Sequence, residues 1–309
     1  MRIAVVGAGG IGGIYAARLA HAGAEVIVIA RGAHLAAIRA NGLRLEGDLG
    51  ELHVTPALAT DDFAAPGPVD VVLSCVKLWD VEAAGAAMRP LVGPATAVVA
   101  LQNGVDAHDR LLPILGRAAV LGGSAFVSGL VVAPGVIRQT GIYQRITFGE
   151  LDGSMSARGR ALAELCVEAG IEPVLSPNIL VPLWQKFLVV VPLANINALT
   201  RLPLGQYRAD PDLWALVEGG LRETEAVGRA EGVALDPDIA EETLATFRAM
   251  PAHHMTAMCN DLLRGNRLEL PWFAGKVVEL GRRHGIPTPV NAFVYAALKL
   301  YRDGAPKPN

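Results

Sequence analysis

The chain has 309 residues, of which 52% are hydrophobic and 18% charged, with a formal net charge of −3. That length suits about two domains, and the apolar content excludes a disordered chain. The nearly balanced charge provides no global field for DNA, RNA or an anionic membrane.

Arg2 followed by apolar residues has the opening of a secretory signal. Glycines at 7, 9, 10, 12 and 13 interrupt the run and Arg18 follows, so no targeting segment is expected. Residues 3–6 read as a buried strand, 14–22 as a helix stopped by Gly23, and 25–30 as a second buried strand. Together they form a βαβ unit. Leu43, Leu45, Leu52 and Val54 flank a Gly-Asp-Leu-Gly turn and predict a hairpin. Residues 69–76, 95–101 and 118–121 are further buried strands. Two glycine- and proline-punctuated segments, 131–139 and 143–148, predict antiparallel strands. A helix over 157–169 and a short strand over 173–175 complete the pattern.

The texture changes at Ser176-Pro177-Asn178. Beyond it, helices are predicted near 182–199, 211–231, 238–249, 255–265, 270–284 and 289–301, with a frayed tail over 304–309. Alternating strands and helices followed by an all-helical block predict an α/β Rossmann domain over 1–176 and an all-α domain over 177–309. The longest apolar stretch, 187–199, is too short to span a bilayer and contains Pro192, Asn195 and Asn197. A soluble, cytoplasmic protein is expected. The three cysteines, Cys75, Cys166 and Cys259, match no metal or disulfide spacing and read as buried thiols. His253 and His254 are adjacent, so on a helix their rings diverge and no metal site is expected.

Gly7-Ala8-Gly9-Gly10-Ile11-Gly12 matches G-x-G-x-x-G between a strand and a helix, the context that a dinucleotide site requires. Gly7 permits the tight turn, Gly9 lets backbone approach a pyrophosphate, and Gly12 allows close helix packing at a positive helix terminus. NAD enzymes place an acid at the end of the second strand. Here Arg31 stands there, able to fork onto a 2′-phosphate, which favours NADP. Lys77 and Asn103 each follow a buried strand, where open sheets bind ligands. Lys77 suits a cofactor phosphate or ribose, and Asn103 the nicotinamide or substrate. Ser128 is placed with the cofactor-binding residues. Lys186 is the one charge between Asn178 and Arg201. It is either a snorkelling side chain or a cation held in a cleft.

These residues resemble the ketopantoate reductase family (2-dehydropantoate 2-reductases) over nearly the whole chain. The resemblance rests on Gly7–Gly12, Arg31, Val76-Lys77 with Trp79, and Asn103-Gly104. It also rests on Trp184 with Lys186, Asn260-Asp261 followed by Glu269, and the Gly285-Ile286-Pro287-Thr288-Pro289 ending. It implies a Rossmann domain joined to a helical domain with the active site in the cleft between them. It implies NADPH-dependent reduction of a branched 2-oxo acid, as in pantothenate synthesis. Lys186 would be the proton donor, Asn103 would touch cofactor and substrate, Lys77 cofactor, and Glu269 would lie in the cofactor or substrate cleft, where near Lys186 it would keep a partly buried lysine charged. The implied partner is a small-molecule 2-oxo acid, with a homodimer as a further possibility.

The chain departs from the family at three polar positions. Members usually carry asparagine four and eight residues after the lysine and serine four before the later aspartate. Here Val190, Ala194 and Ala257 occupy those places. Asn195 and Asn197 sit at other helical angles, and Thr256 is expected to cover in part for the missing serine. Each lost hydrogen bond to a charged substrate group is worth about 1.5–3 kcal/mol. A relative acting on a more apolar 2-oxo acid, a different two-domain dehydrogenase and a non-catalytic NADP-binding protein are therefore the alternatives.

Overall fold

The computed structural model describes residues 1–306. The chain forms two compact units, one covering Met1–Pro182 and one beginning at Leu183. The expected boundary at 176 falls in the loop before a long helix. The first unit runs past it because Ile179 packs against Gly122 of the sheet, where an added methyl group would meet it at 2.9 Å.

In the first unit the strands are β1 (Arg2–Val6), β2 (Glu25–Ile29), β3 (Leu43–Gly47), β4 (Leu52–Val54), β5 (Leu58–Thr60), β6 (Val69–Ser74), β7 (Val92–Ala100), β8 (Val120–Ala133), β9 (Val136–Glu150) and β10 (Glu172–Leu175). The helices are α1 (Gly10–His21), α2 (Gly32–Asn41), α3 (Val81–Ala87), α4 (Ala107–Leu115) and α5 (Ala157–Glu168). The sheet order is β4-β3-β9-β8-β7-β6-β1-β2-β5, with β10 on β9. From β5 through β2, β1, β6 and β7 to β8 every pairing is parallel. This is the 3-2-1-4-5-6 order of the doubly wound dinucleotide fold. Strands covered on both faces need unbroken apolar runs, and Ile3, Val5, Val28, Leu73 and Val99 are sealed in the core with Ile14.

The predicted β3–β4 hairpin forms with Leu43 opposite Val54 and Leu45 opposite Leu52. The sequence pattern does not predict β5: its three residues carry little periodicity, yet Thr60 accepts the Ala30 N–H and completes the parallel set. The antiparallel strands are longer than 131–139 and 143–148. They form one hairpin that turns at Pro134-Gly135, not near 141. Pairing jumps from Val127↔Gln144 to Gly129↔Gln139, so the residues around Gly141 (φ +72°) form a bulge that lengthens the strand without ending it.

Further helices are α6 (Leu180–Thr200), α7 (Leu204–Ala209), α8 (Pro211–Ala230), α9 (Ile239–Ala249), α10 (Ala257–Leu263), α11 (Ala274–His284) and α12 (Pro289–Leu298). The short α7 has no counterpart among the predicted helices. The helix expected from 270 starts at Ala274, after a 3₁₀ turn over Leu270–Trp272. His253 and His254 lie in a turn before α10, not on a helix. At 21 residues, α6 outruns the expected apolar stretch and is long and apolar enough to cross a bilayer, but 61% of its most apolar window is buried in the protein. The tail is pinned where fraying was expected to start. The Gly304 N–H donates to Tyr301 O and the Ala305 N–H to Gly265 O, while residues 307–309 lie outside the described residues.

A buried carboxylate organises the helical unit. Glu223 on α8 accepts the backbone N–H groups of Val290 (2.7 Å) and Asn291 (2.9 Å) and the Asn291 side-chain amide (2.7 Å). It thereby caps the first turn of α12, where Pro289 needs no partner. Asn291 accepts in turn from the Asn195 amide at 2.9 Å. Removing such a buried acceptor strands several donors. Glu223→Ala will cost about 2–4 kcal/mol of stability in urea denaturation. Glu241→Ala, which loses only an exposed pair with Arg222, will cost under about 1 kcal/mol.

Candidate active site

Four candidate segments leave the carboxyl ends of adjacent parallel strands. Gly7 follows β1, Arg31 lies just beyond β2, Lys77 beyond β6 and Asn103 beyond β7. In an open parallel sheet this edge is where ligands bind. The predicted nucleotide residues of the first unit therefore share one rim.

The Gly7–Gly12 loop turns from β1 into α1. Gly7 donates its N–H to Ile29 O at 3.1 Å, tying the turn to the end of β2. A methyl group on Gly12 would lie 2.2 Å from the Gly7 carbonyl oxygen and 3.0 Å from the Cys75 Cβ. Only glycine lets the helix start so close to the strands. At Gly9 the reverse holds: a methyl group there would have no neighbour within 4 Å and would project into open space at the helix N-terminus. Gly9, at the N-cap of α1, has no side chain to cap it, which suits the helix's first N–H groups and its positive end to a ligand. This arrangement fits a dinucleotide pyrophosphate. Ala8 is buried, Ile11 packs partly into the core and Gly10 presses on the backbone of β8 at Gly129. Ser128 is thereby next to the loop, with its hydroxyl accepting from Thr140 at 2.9 Å.

Arg31 occupies the N-cap position of α2 without a side-chain capping bond, its side chain 83% exposed and 3.8 Å from the Asp80 carboxylate. A surface pair of this kind is worth at most about 1 kcal/mol, so the guanidinium is readily redirected to a phosphate. Lys77 is exposed, with its ammonium 5.6 Å from the centre of the Trp79 ring. Gln102, to which the sequence pattern assigns no role, joins two of these loops. Its buried amide donates to Ser74 O and Oγ, both at 3.0 Å, and to Val76 O at 3.3 Å. The available signal is a glutamine at the end of an apolar strand. Asn103 follows it, half-buried.

In the helical unit, Lys186 sits half-buried on α6 between buried Trp184 and Phe187, whose rings meet edge to face at 5.5 Å. Burial pushes the ammonium down to about 8, and the negative charge of Glu269 pulls the other way. Glu269 is buried at the start of the 3₁₀ turn before α11. The two residues are close enough for the Glu269 charge to act on the ammonium. The neighbouring polar residues bond within the helical unit. Asn197 donates to Leu202 O and accepts from the Thr256 N–H (2.7 Å) and hydroxyl (2.8 Å). Thr256 caps α10, its hydroxyl accepting from the Cys259 N–H. Asn195 is committed to Asn291.

Comparison with known proteins extends this picture. Residues 3–153 match the family model described as ketopantoate reductase PanE/ApbA, and residues 178–302 the model of its C-terminal part. The chain is 33% identical to a 2-dehydropantoate 2-reductase of Mesorhizobium japonicum, covering 97% of each. It is 29% identical to an uncharacterized oxidoreductase of Bacillus subtilis, covering 97% of this chain and 99% of that one. The crystal structure of a PanE/ApbA family ketopantoate reductase from Ralstonia eutropha JMP134 matches with a TM-score of 0.90 at 33% identity over 98% of both chains.

The two glycines separate binding from folding. Gly9→Ala will keep the thermal midpoint of the unaltered chain while weakening NADPH binding at least about tenfold, because its methyl group occupies ligand space. Gly12→Ala will lower the midpoint as well, because its methyl group meets backbone. Thermal denaturation with and without NADPH reads both effects.

Proposed function

The chain belongs to the ketopantoate reductase PanE/ApbA family of NADP-dependent oxidoreductases, and we propose that it reduces a 2-oxo acid to the 2-hydroxy acid with NADPH, with 2-dehydropantoate to pantoate as the leading reaction. The observation that carries this reading is Lys186, half-buried on α6 between Trp184 and Phe187, with the buried Glu269 carboxylate near enough to act on its charge.

The reduced nicotinamide supplies the hydride. In this reading, Lys186 donates a hydrogen bond to the ketone oxygen and so polarises the carbonyl. As the oxygen gains negative charge, the ammonium stabilises it and passes on its Nζ proton. A donor titrating near 8 is close to neutral pH, where proton transfer is most effective. Glu269 keeps that donor protonated. Arg31 takes the 2′-phosphate, Gly7–Gly12 and Ser128 the nucleotide backbone, Lys77 phosphate or ribose, and Asn103 orients the reacting groups.

One observation favours a second substrate class. Val190, Ala194 and Ala257 offer no hydrogen bond, and Asn195, Asn197 and Thr256 are committed within the protein. A 2-oxo acid with an apolar side chain fits these residues better than one carrying a hydroxyl group.

A panel of branched, aromatic and hydroxylated 2-oxo acids, followed by loss of NADPH absorbance, tests the function. Turnover of at least one is expected, with Lys186→Ala about a hundredfold or more slower. No turnover on any of them refutes the reading. Because the lysine must carry its proton, kcat/KM will fall as pH rises through about 8. Glu269→Gln removes the attraction that raises the lysine pKa, so the falling limb will move to lower pH.

A further inference from the structure

His34, in the first turn of α2, joins three parts of the nucleotide rim. Its Nδ1 accepts the backbone N–H of Gly135 at 3.0 Å, and its Nε2 lies 2.8 Å from the carbonyl oxygen of Ala8. A backbone N–H only donates and a carbonyl only accepts. The imidazole is therefore the neutral tautomer with its hydrogen on Nε2, donating to Ala8. No other tautomer makes both bonds.

The two partners are not incidental. Ala8 lies inside the Gly7–Gly12 loop. Gly135 is the turn of the β8–β9 hairpin, whose Gly129 carbonyl lies where a methyl group on Gly10 would be. Arg31 stands on the same stretch of chain, just before α2. The Ala8 carbonyl and the Gly9 N–H also belong to one rigid, planar peptide unit and point in opposite directions. Holding the carbonyl thus fixes the direction of the Gly9 donor, at the position where the structure leaves space for a pyrophosphate.

We propose that His34 is a positioning residue for cofactor binding: its Nε2–H locks the Ala8–Gly9 peptide so that the loop meets the pyrophosphate already oriented. This rests on the nucleotide-site reading and adds a residue outside the glycine motif. Preorganising a loop strengthens binding by removing the ordering cost.

The two amide side chains separate the two bonds. In His34→Gln the terminal amide nitrogen reaches the Nε2 position and keeps the donor to Ala8. In His34→Asn the amide oxygen takes the Nδ1 position and keeps only the acceptor for Gly135. Fluorescence titration of the full-length variants with NADPH and with NADH, alongside thermal midpoints, reads the difference. His34→Asn and His34→Ala will raise the Kd of both cofactors about tenfold, the scale of one lost hydrogen bond. His34→Gln will stay within about threefold of the unaltered chain. Equal effects on NADPH and NADH are expected because both carry the pyrophosphate. His34→Asn binding as the unaltered chain does, or His34→Gln binding no better than His34→Ala, overturns the proposal. An unaltered chain that binds neither cofactor overturns the nucleotide-site reading along with it.

Discussion

The nucleotide rim depends on one close contact, between the carbonyl of Gly7 and the α-carbon of Gly12. A single methyl group in that gap would sit 2.2 Å from the carbonyl oxygen. Its absence lets α1 begin directly above the ends of β1 and β6, with its uncapped N–H groups facing outward. A helix end carries partial positive charge only within its first turn, so a start displaced by even part of a turn would aim that charge elsewhere. The parallel pairing then sets Arg31, Lys77 and Asn103 along the same edge, because parallel strands all end on the same side. The rim combines a fixed backbone dipole with exposed cations, the usual requirement for holding a polyanionic ligand.

The helical unit uses buried charge in two ways. Glu223 is satisfied by three N–H donors at the start of α12 and serves the fold. Glu269, also buried, acts on Lys186. For an ammonium, loss of water disfavours the charged form and a nearby carboxylate favours it. Here burial is the larger effect, and the outcome near 8 leaves a lysine that is charged at neutral pH yet able to give up its proton. An exposed lysine would be a poorer acid, and a buried one without a carboxylate would not stay protonated.

Polar residues near Lys186 on α6 illustrate how composition misleads. Asn195 and Asn197 are only slightly displaced in sequence from positions where the family places asparagine. A displacement of one residue turns a side chain by about a hundred degrees around a helix of 3.6 residues per turn. Both asparagines point into the protein, where Asn197 anchors Thr256 and Asn195 holds Asn291. Val190 is half-buried, Ala194 lies in the core and Ala257 is exposed, and none of the three side chains offers a hydrogen bond.

Local chemistry made much of this legible in advance. Apolar runs gave the parallel strands, the glycine spacing gave the loop, and the absence of an acid after β2 pointed to Arg31; one charge in an apolar helix drew notice to Lys186, but its role came from the family resemblance. These signals are short-range: periodicity, turn preference and the rarity of a charge among apolar neighbours. Features set by distant partners were not visible. The three residues of β5 are a strand only because β2 offers an edge to pair with, and the bulge at Gly141 arises from a hairpin register that spans both long strands. Gln102, His34 and Thr256 are ordinary polar residues until folding brings Ser74, Ala8 and Asn197 within hydrogen-bond reach. A hydrogen bond acts over about 3 Å, so its partner cannot be read from a chain in which the two residues stand tens of positions apart.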